Sequence, residues 1–262
     1  MDSYFVQILI VAVLFGGTCG LLSVYIVGLR LPFVGIFVSH TAMVGAVYST
    51  LLGLSGSWPC ILFSGLVSMS LAWIRPHRQR LNPTVAMAVL FSFMLGLTFL
   101  GFGLIQHSRT EVMSLLWGNI LFVRSETIRQ VVGAGLLCVL FAFVFDKELK
   151  ALLFSRTLAG ATGIHEGVVY TLFLFLCGVT LAIHLPLVGG LMIFCLITNP
   201  AAGAYQICKD FRTVVIASVV FGIVSTVAGF LLSYRFNLPT GACIVLVSTA
   251  IFAVCVGCKK MS

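Results

Sequence analysis

The chain has 262 residues, 60% of them hydrophobic and 8% charged, with a net charge of +8. A soluble domain carries about 25% charged residues, so this composition excludes a water-soluble enzyme. It also assigns the positive charge to basic cytoplasmic loops of a polytopic membrane protein rather than to a nucleic-acid surface.

Hydropathy and punctuation predict nine transmembrane helices in a single transmembrane domain, residues 1–262. They fall at roughly 4–28, 32–53, 57–75, 83–105, 129–145, 166–184, 187–206, 213–233 and 239–257. The first, from Tyr4 to Gly28, reads as a span rather than a cleavable signal peptide. It has no basic n-region and is too long for an h-region. The second holds VGIFVSHTAMVGAV, residues 34–47, where Ser39 and His40 interrupt an apolar run. Burying a polar side chain costs a few kcal/mol unless it finds a partner, and an ionisable residue within the bilayer is a functional hypothesis by default. His40 is the only histidine expected well inside a span. His184 falls at a predicted span end, and His77, His107 and His165 fall in loops. Two readings stand for His40, a ligand lining a path or a hydrogen-bonded packing residue. Ser39 is expected to bond a backbone carbonyl or a neighbouring helix.

Between spans four and five, residues 114–123 (SLLWGNILFV) are too short to cross and read as an interfacial or re-entrant helix. The next loop, residues 146–167, begins DKELKALLF, a short amphipathic helix that could lie in the headgroups or fit a groove on a soluble partner. Further on, Thr198-Asn199 precedes Pro200 deep in a predicted span. A kink there is either structural or part of a substrate path. Many of the 26 glycines sit within spans beside Ala and Ser, as close helix packing in a membrane requires. The Cys255-Val-Gly-Cys258 pair at the end of the last span is weak evidence for metal without a second pair or a histidine.

Nine spans put the termini on opposite sides. With the N-terminus outside, the inner loops hold Arg30, Arg75, Arg78, Arg80, Lys147, Lys150, Arg156, Lys209, Arg212, Lys259 and Lys260, leaving Arg109, Arg124, Arg129 and Arg235 outside. The positive-inside rule therefore predicts N-out, C-in.

Four stretches together resemble the permease subunit of metal-importing ABC transporters, the bacterial class serving zinc, manganese and iron uptake. Gly35 to Thr41, with the Ser39-His40 pair and Gly45 five residues on, resembles that family's second-span pattern. Asp146, Glu148, Gly163 and Ile164 match its coupling segment. Val188-Gly189 through Pro200-Ala201-Ala202 and Ala204 match its kinked span. Phe236, Leu238-Pro239-Thr240-Gly241 and Val245-Leu246 match its last outer loop. The resemblance implies a homodimer in the bacterial inner membrane, with an ATP-binding cassette subunit below and an extracytoplasmic solute-binding protein above. It makes Asp146 to Ile164 the segment that docks on the ATPase. ATP would be bound by that partner, since the chain has no phosphate loop of its own and no cofactor is expected in it.

The departures bear on cargo. Where relatives carry aspartates, this chain has Ile36, Asn82, Asn119 and Asn237, and its acidic residues (Asp2, Glu111, Glu126, Asp146, Glu148, Glu166, Asp210) all lie at predicted span ends or in loops. Hard cations such as manganese favour carboxylate oxygen. The expected cargo is therefore a borderline ion such as zinc, passing on imidazole, or else a metal chelate or other non-metal cargo that brings its own donors. The residues expected on the path are His40, Ser39, Asn199 and Asn237, with His40 as metal ligand. A self-contained secondary transporter or channel is the rival class. Such carriers usually hold acidic residues within the membrane, and no HExxH or GxSxG motif supports an intramembrane enzyme.

Overall fold

The computed structural model describes residues 2–54, 57–73, 83–105, 125–155, 159–160, 165–190 and 193–261. Among these residues the chain forms ten α-helices and no strand. They are α1 (Asp2–Gly28), α2 (Pro32–Leu51), α3 (Trp58–Ser70), α4 (Pro83–Leu104), α5 (Ser125–Val144), α6 (Asp146–Phe154), α7 (Glu166–Val188), α8 (Ile193–Ile207), α9 (Phe211–Phe236) and α10 (Thr240–Met261). In hydrocarbon each backbone N–H and C=O must be satisfied within the chain, which is why spans so rich in Val, Ile and Gly are helical.

Seven of the helices (α1, α2, α4, α5, α7, α9 and α10) are long and apolar enough to cross a membrane. The other two predicted spans fall on shorter helices. α3 has 13 residues, continued by a 3-10 turn at Leu71–Trp73, and α8 has 15. Proline sits in the first turn of α2 and of α3, where its missing N–H costs nothing.

The predicted end of span six moves. The sequence places the break at Leu185, ahead of Pro186, but α7 runs through to Val188 and is stopped by Gly189. Gly189 adopts φ +89°, a conformation open to glycine, and returns its N–H to the Leu185 carbonyl. Pro186 lies within the last turn and does not end the helix. His184 is consequently inside the bundle and fully buried, not at a span end.

α2 and α7 are the most enclosed spans, with α1 beside them, while α4, α5 and α10 turn most of their surface outward. α1 lies closest to α9. A Cβ on Gly222 would fall well inside contact distance of the Gly16 carbonyl oxygen, and one on Gly20 would lie 2.5 Å from the Ser218 carbonyl oxygen. At this crossing Ser218 Oγ donates to the Gly20 carbonyl at 2.6 Å and Thr226 Oγ1 to the Ala12 carbonyl at 2.8 Å. Small residues thus let backbones approach until side-chain hydroxyls bond across the gap.

Pro200 lies inside α8, which runs on through it to Ile207. Beside the proline, the Ala201 N–H donates to Ser23 Oγ of α1 at 3.1 Å, and the same buried hydroxyl lies 3.5 Å from the Thr198 carbonyl. A neighbouring helix thus supplies a polar partner next to the proline, as proline-containing spans use.

Candidate functional site

α2 carries the site. On it, Ser39 Oγ donates to the Ile36 carbonyl at 2.9 Å and Thr41 Oγ1 to the Phe37 carbonyl at 2.9 Å. Ser39 thus does what its sequence predicts. His40, 2% exposed, places Nδ1 2.9 Å from the same Ile36 carbonyl. A carbonyl only accepts, so Nδ1 carries the proton and Nε2 holds the free lone pair. That Nε2 is buried and has no hydrogen-bond partner among the described residues. The ring meets Phe91 of α4 edge to face, with centroids 4.8 Å apart and planes at 89°. One nitrogen is thus satisfied by the backbone, as a packing role asks, and the other is the donor atom that a path role would use.

The remaining expected path residues are not gathered around His40. Asn199 is half-buried on α8 and gives Nδ2 to Thr249 Oγ1 of α10 at 3.3 Å. The part of α8 that meets α2 carries Ile197 against Gly35, about 200° around the helix from Asn199. Asn237 is exposed and ends α9 in the left-handed conformation, φ 53° and ψ 40°. Asparagine is among the few non-glycine residues that accept this C-cap geometry. The turn is tied by Ser233 Oγ, which donates to the Leu238 carbonyl at 2.6 Å and lies 2.9 Å from Thr240 Oγ1. Asn237 borders a surface cavity of about 580 Å³ with Ser233, Tyr234, Arg235 and Leu238.

A second buried imidazole lies where the sequence reading puts a span end. His184 of α7 is fully buried with its ring 4.8 Å from that of Phe15 on α1, and neither nitrogen completes a hydrogen bond of good geometry among the described residues. The signal for it was Gly189, whose need for positive φ marks the true helix end. Among the described residues no three His, Cys, Asp or Glu side chains gather to hold a metal ion. At His40 the chain offers one nitrogen, so an ion there would take its other donors from water, a carrier or a second copy.

The predicted amphipathic helix is α6. Leu149 and Leu152 are buried and tuck it against α7, α5 and α1, while Phe154 at its end is 82% exposed. Asp146 Oδ2 accepts from Lys150 Nζ at 2.6 Å, and that ammonium lies 5.6 Å from the Phe211 ring centroid. Both partners are about half exposed, and such surface pairs stabilise by roughly 1 kcal/mol at most. Asp146 and the half-buried Glu148 thus sit on an element anchored by its leucines, with the carboxylates contributing little to the anchoring. Gly163 and Ile164 lie outside the described residues, as do Asn82, Asn119 and the predicted helix at 114–123.

Comparison with known proteins adds an independent line. The chain is 29% identical over 258 residues to the manganese import system permease protein ScaB of Streptococcus gordonii, covering 97% of this chain and 91% of that one. It is 26% identical over 253 residues to a probable iron transport system membrane protein of Haemophilus influenzae, covering 96% and 88%. Its fold superposes on a chain of PsaBC from Streptococcus pneumoniae, solved in complex with Fab, with a TM-score of 0.84 and 25% identity over 96% of this chain and 90% of that one. The ABC 3 transport family matches residues 1–259, and the chain belongs to that family, as a membrane-embedded permease for metal import.

Proposed function

We propose that this chain spans a bacterial inner membrane nine times, N-out and C-in, and passes a divalent transition metal from a solute-binding protein to the cytoplasm. It works as a homodimer driven by a separate ATP-binding cassette subunit. The observation that carries the reading is the lone pair of His40 Nε2, buried and without a hydrogen-bond partner among the described residues, in the middle of one of the two most enclosed spans. A neutral imidazole suits a borderline ion, so zinc stands ahead of manganese and iron, the metals named for the two relatives. The chain binds no nucleotide in this reading and catalyses nothing itself.

Elemental analysis of cells carrying the whole transporter tests it. Wild-type cells should accumulate one transition metal above cells lacking the transporter, and His40→Ala should remove most of that excess with membrane expression unchanged. A parallel fall in uptake and expression would return His40 to a packing role. The absence of membrane carboxylates favours a second reading, a metal chelate as cargo. It predicts metal uptake only when chelator is supplied.

The ATPase-docking reading of α6 has its own test. Reversing both charges, Asp146→Lys with Glu148→Lys, should reduce the co-purified ATPase by roughly tenfold, as lost charge pairs at a protein interface do. Unchanged co-purification would remove these carboxylates from the docking surface.

A further inference from the structure

We propose that Phe91 gates His40: its ring packs against the imidazole in this conformation, and an ion reaches the buried Nε2 only after the ring has moved. The proposal rests on reading His40 as a ligand. Nδ1 is held by the Ile36 carbonyl at 2.9 Å, so the imidazole cannot offer that nitrogen without breaking the bond. Only Nε2 is free, and it is shut away from solvent. The Phe91 ring stands 4.8 Å from the imidazole at 89°.

Three features make this contact one that opens rather than a fixed part of the core. First, α4 has α2 as its only extensive helix neighbour among the described helices. Phe91 is itself half-buried, so its ring can move without disturbing the packing of α1, α7 and α9. Second, the face that α4 turns to α2 carries Met87 and Met94, both buried, one turn to either side of Phe91. Unbranched thioether side chains adapt to a moving neighbour better than branched ones. Third, a cavity of about 410 Å³ between α2, α3 and α4 begins at Val44, one helical turn from His40, and is bordered by Leu97 of α4. Space for a displaced ring or an approaching ion therefore lies along the same pair of helices.

The test is the rate of Zn²⁺ binding to the purified nucleotide-free permease–ATPase complex, followed by competition with a chromophoric chelator. A phase absent in His40→Ala identifies the site. Phe91→Ala should speed that phase about two- to tenfold, the range set by the strength of an aromatic pair. Phe91→Trp should slow it. A residue that merely supports the fold would shift both variants in one direction, so opposite signs identify a gate. Should Phe91→Ala fail to accumulate, Phe91→Leu replaces it with the same expected sign. Any other pattern, with the phase still lost in His40→Ala, overturns the gate and leaves the ligand standing. A binding phase that His40→Ala leaves untouched overturns the ligand reading itself.

Discussion

Gly222→Val is expected to reduce folded permease in detergent extracts at least tenfold, measured by fluorescence-detected size exclusion of a tagged chain. The reason is backbone against backbone. A Cβ at Gly222 would collide with the Gly16 carbonyl oxygen and lie 3.2 Å from the Gly20 Cα, and neither can rotate away. α1 and α9 would have to separate. That forfeits the Ser218 and Thr226 hydroxyl bonds to the Gly20 and Ala12 carbonyls, each worth about 0.6–1.7 kcal/mol in a membrane. Overpacking strain of about 1–3 kcal/mol adds to this, and a total of a few kcal/mol is a large part of the stability of any domain. Gly133→Ala is the control. That glycine, exposed on α5, has nothing within 4 Å of its would-be Cβ, so yield should hold or rise with the better helix propensity of alanine. Equal losses in the two variants would show that the crossing is no tighter than the rest of the bundle.

The same crossing shows what the sequence discloses and what it withholds. Small residues within spans announce close packing, and the hydrophobic period announces the helices, including α6 with its buried Leu149 and Leu152. Which small residue meets which is tertiary information. Gly16 and Gly222 are far apart in the chain, and composition cannot pair them. Helix ends were legible where glycine or proline acts alone and misread where both occur. Pro186 looked like the stop and Gly189 was, so His184 moved from a loop edge into the core. At the site, the oddity of His40 was visible as a polar residue in an apolar run. Its tautomer was not, because that depends on the Ile36 carbonyl one turn back. Asn199 stands out in the sequence as a polar residue before a proline, and Asn237 as a position where the resembled family carries aspartate. The structure gives each a local task, a bond to Thr249 for the first and a left-handed cap for the second.

Asn199 and Asn237 thus have local tasks, whereas His40 and His184 both keep buried nitrogens without a hydrogen-bond partner among the described residues, and of the two it is His40 that matches the resembled family's second-span pattern. That separation matters for ion choice. Were Asn199 or Asn237 beside His40, their amide oxygens could take the place of the missing carboxylates. With the first turned to α10 and the second exposed at the end of α9, the site proposed at His40 has, among the described residues, a single imidazole nitrogen to offer beside whatever the ion brings.

Ile36→Asp should therefore change which metal is carried, raising manganese accumulation about fivefold or more over wild type in cells given equal zinc and manganese. Positions 36 and 40 are one turn apart, and side chains at that spacing face the same way with Cβ atoms about 5–6 Å apart. An aspartate at 36 could share an ion with Nε2 of His40 once the imidazole is uncovered. Carboxylate oxygen is the donor that manganese prefers and zinc needs less. The Ile36 carbonyl is unaffected by the substitution, so the tautomer of His40 and the direction of its lone pair persist. The cost is a carboxylate near the centre of a span, about 2.5–3.5 kcal/mol on the insertion scale. Expression of the variant should drop modestly, so uptake is normalised to protein in the membrane. Ile36→Asn supplies the shape of aspartate with a neutral oxygen and separates charge from geometry. A gain in aspartate and none in asparagine would make charge compensation the determinant of ion choice. Equal gains would make it oxygen donation, and no gain in a well-expressed aspartate variant would move the determinant away from α2 altogether.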